Sequence, residues 1–203
     1  MTRILFLLFL LFSPALSAEQ RTVVFFGDSL TAGYGIDPDD AFPALIQKKI
    51  DADGLAWRVV NAGLSGETTA GGLRRIDWIL RQQVDCFVLE LGGNDGMRGV
   101  APEETQANLQ AIINRVRATH PKARILLAGM QMPPNYGEQR MREFAALYPA
   151  LAEKNQLALI PFLLEGVGGV PRMNLPDGIH PTADGHAIVA QHVWKFIAPL
   201  LKP

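Results

Sequence analysis

The chain has one cysteine in 203 residues, so no intramolecular disulfide can hold it together and its stability has to come from a core. Charge of either sign is scarce in excess: the formal net charge is −1, which gives neither the footprint of a nucleic-acid binder nor a reason to dock on anionic lipid. No apolar run reaches the ~20 residues needed to span a bilayer. The G-x-S-x-G of an ordinary α/β-hydrolase is absent. The glycine-bearing turn after the first apolar run has neither G-x-G-x-x-G nor a Gly-Lys-[Ser/Thr] phosphate loop, so nucleotide cradling has little support.

What is present begins with a leader. Arg3 gives a positive start, Ile4 to Phe12 is unbroken apolar sequence, and Ala15-Leu16-Ser17-Ala18 offers small residues for cleavage. That layout is a secretory signal peptide over residues 1–18, which implies a periplasmic or secreted protein without a stable membrane anchor. No cysteine stands at the cleavage point, so a lipoprotein is not indicated.

From residue 19 to 203 a single domain is expected. Short apolar runs rich in β-branched residues (Thr22–Phe26, Arg58–Asn61, Val84–Leu91, Arg124–Ala128, Ala158–Phe162) alternate with amphipathic stretches. The latter predict helices over Ala41–Ala52, Gly72–Gln83, Pro102–Thr119, Gln139–Asn155 and Ala183 to about Leu200. Such alternation implies a parallel sheet covered on both faces. Cys86 falls within the strongest strand and is expected to be buried.

Four clusters carry chemistry, each at a predicted strand end or near the C-terminus. Gly27-Asp28-Ser29-Leu30 puts a hydroxyl on a strand-to-helix turn, although serine also serves there as a plain helix cap. In Asp177-Gly178-Ile179-His180-Pro181 the acid can fold back across the glycine onto the imidazole Nδ1–H; alone, the cluster reads as a solvated loop with an Asx turn. Gly92-Gly93-Asn94-Asp95 offers an amide donor for an oxyanion, and Gly66 in Asn61–Glu67 an unobstructed N–H; both are also good turn material. Together they supply nucleophile, base, orienting acid and oxyanion donors on one edge of one sheet. A metal site from Asp177, His180, Asp184 and His186 is a rival, but the spacing matches no H-E-x-x-H arrangement. His120 and His192 read as surface helix residues.

Those four blocks resemble, in order, the signature of the GDSL/SGNH hydrolases. VVNAGLSGETTAGGL, LELGGNDGMRG, MQMPPNYG and DGIHP are similar to the bacterial periplasmic multifunctional esterases within that family, which act on thioesters, lysophospholipids and aryl esters. The resemblance covers essentially the whole mature chain. It implies a flavodoxin-like three-layer α/β/α sandwich with about five parallel strands. It also implies Ser29 as nucleophile, His180 as base with Asp177 as partner, and an oxyanion hole from the Ser29 and Gly66 N–H groups and the Asn94 side chain. No metal or organic cofactor is implied.

Two irregular segments, Gly129–Gly137 and Glu165–Gly178, follow the fourth and fifth strands, where ligands bind in open α/β sheets. Their apolar residues, with Leu30 and Met97, are expected to line an acyl groove: Met130, Met132, Pro133, Tyr136, Met173 and Leu175. The expected partner is a small acyl or aryl ester or lipid substrate, and the chain is expected to be a monomer. A carbohydrate O-acetyl esterase and a non-enzymatic lipid carrier of the same fold are the alternatives.

Overall fold

The computed structural model describes residues 20–202; the expected leader lies outside them. Five strands form one sheet in the order β2-β1-β3-β4-β5, all neighbours parallel. They are β1 Arg21–Gly27, β2 Trp57–Gly63, β3 Cys86–Glu90, β4 Arg124–Ala128 and β5 Ala158–Ile160. The central strands are continuous apolar runs because both of their faces are covered: Val23 to Phe26 and Phe87 to Leu89 are buried throughout. Cys86 is buried at the start of β3, and burial pushes its thiol up to about 12, which leaves it unreactive.

The helices are α1 Ser29–Ala32, α2 Phe42–Ala52, α3 Thr69–Ile79, α4 Gly93–Met97, α5 Pro102–Thr119, α6 Glu138–Asn155 and α7 Ala183–Leu201. α2 packs against α7, while α3, α5 and α6 pack in series, giving the expected flavodoxin-like three-layer α/β/α architecture. α5 opens with Pro102 in its first turn followed by Glu103 and Glu104, which suit the orphan amides and the helix dipole. α3 starts at Thr69, three residues before the expected Gly72, because the Thr68 hydroxyl accepts from the Gly71 N–H and caps the helix there. Two short helices, α1 and α4, are additional to the five expected from periodicity; they form at the turns carrying Ser29 and Asn94, each shortly after a central strand.

This strand order places a topological switch at β1. The chain leaves β1 toward β2 on one side, whereas β3 lies on the other, so a crevice opens at the carboxyl ends of β1 and β3. Ser29 stands two residues after β1 and Asn94 four residues after β3. The fold therefore brings the first and third chemical clusters to one edge before any side chain is considered.

Candidate active site

The turn after β1 is built so that Asp28, not Ser29, caps the helix. Asp28 Oδ1 accepts from the Leu30 N–H at 3.0 Å, which leaves the Ser29 hydroxyl free. Gly27 permits the close packing of this turn: a Cβ there would lie 2.2 Å from Thr31 Oγ1 and 2.3 Å from Glu90 Oε2. His180 reaches Ser29 from the far end of the chain. Its Nε2 is 2.8 Å from Ser29 Oγ, and its Nδ1 is 2.7 Å from Asp177 Oδ2. Asp177 Oδ1 also accepts from the Ile179 and His180 N–H groups, an Asx turn that holds the acid beneath the ring. The Asx turn and the imidazole contact, which the sequence offered as alternatives, thus coexist on the two carboxylate oxygens. Those hydrogen bonds, chiefly from the His180 backbone, hold the Asp177 carboxyl down at about 2.

The loop carrying His180 is tied to the domain by hydrogen bonds. Asn174 Nδ2 donates to the carbonyls of Val167 and Val170, Asn174 bridges to Pro181, and the Leu175 N–H donates to His180 O. Tyr34 lies against the imidazole with ring centroids 4.5 Å apart.

Two further walls supply donors. Asn94, buried in α4, donates through Nδ2 to Asp28 Oδ2 at 2.9 Å, which fixes the amide beside the Ser29 turn and leaves its second N–H available. Gly66 has φ +78°, a left-handed conformation suited to glycine, and its carbonyl accepts from Arg98 at 2.9 Å. The next residue, Glu67, pairs with Arg75, whose guanidinium also donates to Ala62 O and lies over the Phe26 ring. The Gly66 loop is thereby anchored to β1 and β2. The Ser29 and Gly66 N–H groups donate to no backbone carbonyl among the described residues.

A cavity of about 470 Å³ opens beside Ser29 and Asn94, within the range of small-molecule sites. Of the residues expected to line it, Leu30, Met97, Met130, Met132 and Pro133 do so. Tyr136, Met173 and Leu175 do not. Tyr136 borders a separate shallow cleft near Arg140, with its hydroxyl toward Met97 O. Met173 packs onto the core and Leu175 against Gly35, because the loop turns those side chains inward to close onto the domain. Met141, Phe162, Leu164 and Ile179 line the cavity instead. Met141 lies on α6, so its signal is the apolar side chain facing the sheet end rather than loop composition.

The other histidines are occupied. His186 is buried at the start of α7; its Nδ1 accepts from the Phe42 N–H, and burial pushes it down to about 4. His120 and His192, expected as plain surface residues, are half-buried, with Nε2 3.0 Å from Leu80 O and from Phe162 O respectively, so each ties a helix to a neighbouring loop. Among the described residues no group of three or more His, Cys, Asp or Glu could hold a metal ion.

Chemically, a hydroxyl in line with an imidazole whose other nitrogen faces an ionised acid can lose its proton as it attacks a carbonyl. Free N–H groups beside it can donate to the negative charge that develops on the carbonyl oxygen. Known proteins are similar to this chain over most of its length. The esterase TesA of Pseudomonas aeruginosa is 43% identical over 185 residues, which are 91% of each chain. The thioesterase 1/protease 1/lysophospholipase L1 of Escherichia coli is 39% identical over 195 residues, 96% of this chain and 91% of that one. A crystal structure of TesA superposes with a TM-score of 0.86 at 43% identity, covering 89% of this chain and all of the other. The model of the GDSL-like lipase/acylhydrolase family matches residues 25–188, and this chain belongs to that family.

Proposed function

We propose that the chain is a serine esterase that hydrolyses carboxylic ester and thioester bonds of substrates with an apolar acyl or aryl part. The observation that carries this reading is the continuous line Asp177–His180–Ser29 at the mouth of an apolar cavity. Ser29 Oγ attacks the acyl carbonyl while His180 Nε2 takes its proton, and the imidazolium so formed faces the Asp177 carboxylate. The oxyanion is held by the Ser29 and Gly66 N–H groups and the free N–H of Asn94. His180 then gives its proton to the leaving alcohol or thiol. The acyl-enzyme is hydrolysed when His180 deprotonates a water that attacks it. This scheme needs no metal or organic cofactor.

Leu30, Met97, Met130, Met132, Pro133, Met141, Phe162 and Leu164 give the cavity an apolar wall that methionine side chains can reshape. That favours acyl and aryl esters, lysophospholipids and acyl thioesters over acetylated carbohydrates. The leader over residues 1–18 directs a single domain, residues 19–203, to the periplasm or the medium, where it works as a monomer on small substrates. No helix among the described residues is long and apolar enough to cross a membrane.

The reading is tested by assaying the purified protein and Ser29→Ala on an acyl-chain series bearing aryl, lysophospholipid and thioester leaving groups, with an acetylated carbohydrate in parallel. Turnover that rises with acyl length and is lost in Ser29→Ala supports it. Turnover confined to acetylated carbohydrate would favour the O-acetyl esterase, and none on any ester a lipid carrier.

A further inference from the structure

Beneath the Ser29 turn lies an acid that the hydrolytic scheme does not use. Glu90, the last residue of β3, is fully buried. Its Oε2 accepts from the Asp28 N–H at 3.1 Å and from the Thr31 hydroxyl at 2.8 Å. Its Oε1 has no hydrogen-bond partner among the described residues. The neighbouring acid, Asp28, is also buried, but both of its oxygens receive donors: Leu30 N–H on Oδ1 and Asn94 Nδ2 on Oδ2. Neither acid forms an ion pair among the described residues, and Arg75 is committed to Glu67.

Two carboxylates confined together without a counter-ion cannot both be charged. The donors decide which one ionises. Asp28 has an N–H on each oxygen, the arrangement that stabilises an anion, whereas Glu90 has one oxygen that receives nothing. The proton therefore belongs on Glu90 and the charge on Asp28, whose carboxyl a side-chain hydrogen bond from Glu90 also holds down. Burial raises both carboxyls, Glu90 well above its ordinary range and Asp28 to about 6, which agrees with that division.

We infer that Glu90 is a positioning residue held as the neutral acid: it clamps the Asp28–Thr31 turn to β3 and reserves the negative charge for Asp28, which aims the Asn94 amide. This rests on the oxyanion role proposed for Asn94. Glu90 touches no substrate. It acts through the turn that carries Ser29 and through the acid that holds Asn94.

The test uses the full mature protein with Glu90→Gln and Glu90→Leu. An amide offers the same acceptor oxygen to Asp28 and Thr31 and carries no charge, so Glu90→Gln should keep kcat within about threefold. Leucine removes the acceptor, and Glu90→Leu should lower kcat by about tenfold or more with KM within about twofold. Independently of turnover, isotope-edited infrared spectra at neutral pH should show the carbonyl stretch of a protonated side-chain carboxylic acid in the wild type and lose it in Glu90→Gln. Absence of that band, or its survival in Glu90→Gln, overturns the inference, as does a Glu90→Gln enzyme as slow as an enzyme lacking Asn94. A fully active Glu90→Leu overturns it too. If Glu90→Leu does not fold, Glu90→Gln and the infrared band still decide. Because the band needs no substrate, its failure is distinguishable from failure of the esterase reading, which Ser29→Ala tests.

Discussion

Asp28 and Asp177 lie on two walls of one cleft, yet their surroundings drive them apart. Burial pushes Asp28 up to about 6, whereas hydrogen bonds from the His180 backbone and imidazole hold Asp177 at about 2. The Ser29 wall is part of the sheet edge: Asp28, Ser29, Glu90 and Asn94 are all buried and joined across β1 and β3. The His180 wall is a loop of a few hydrogen bonds in which the Asp177 side chain remains about a third exposed. On the proposed mechanism this is a division of labour: the Ser29 hydroxyl and N–H and the Asn94 amide are built into the rigid edge, the Gly66 N–H comes from an exposed loop, and the proton-handling pair sits where solvent can reach it.

The largest effect expected is on the exposed wall. Asp177→Asn should lower kcat by at least about 10²-fold while leaving the melting temperature within a degree or two, because an amide can no longer fix the imidazole tautomer or face its positive charge. An unchanged kcat in steady-state ester hydrolysis would reduce Asp177 to a loop residue. On the buried wall, Asn94→Ala should lower kcat on the order of 10²-fold with a smaller change in KM. An unchanged kcat there would leave Asn94 a turn residue only.

The buried wall should also show its charge in stability. Asp28 has a folded-state pKa above its unfolded value of 3.8, so the folded protein binds the proton more tightly. Stability from this group is present below about pH 4 and is lost as pH rises through about 6. Asp28→Asn should therefore gain relative to the wild type, on the order of 3 kcal/mol, between pH 4 and 7 in denaturant titrations. His186 gives the opposite slope. Its folded value of about 4 lies below its ordinary 6.5, so its contribution is present above pH 6.5 and is lost as pH falls through about 4. His186→Gln should flatten that acid-side loss, and a parallel curve for either variant contradicts the assigned burial.

The sheet was legible because its strands are apolar runs that need no partner to be recognised; Thr22–Phe26 and Arg124–Ala128 match β1 and β4 to within a residue. α1 and α4 were not, since four- and five-residue helices have no period to detect; α1 owes its shape to the Asp28 cap and α4 to tertiary bonds through Asn94 and Asp95. The four chemical clusters announced themselves by residue type, three at strand ends and Asp177–Pro181 near the C-terminus. Glu90 did not, because one acid closing an apolar strand has no pattern; the only signal was a charge where both sheet faces are covered. Tyr136, Met173 and Leu175 were expected in the groove on composition alone, which cannot say toward which side of a loop a side chain turns. Met141 and Phe162 were missed because they read as parts of a helix and a strand, whereas the groove was expected from loops alone.

The account rests on His180 making Ser29 Oγ a nucleophile. The direct measurement is the rate and site of covalent labelling by a fluorophosphonate, followed by intact mass and peptide mapping, for the wild type and His180→Ala. The account predicts one adduct, on Ser29, and a labelling rate at least about 10²-fold slower without the imidazole. An adduct on another residue, or equal rates in the two proteins, would contradict it.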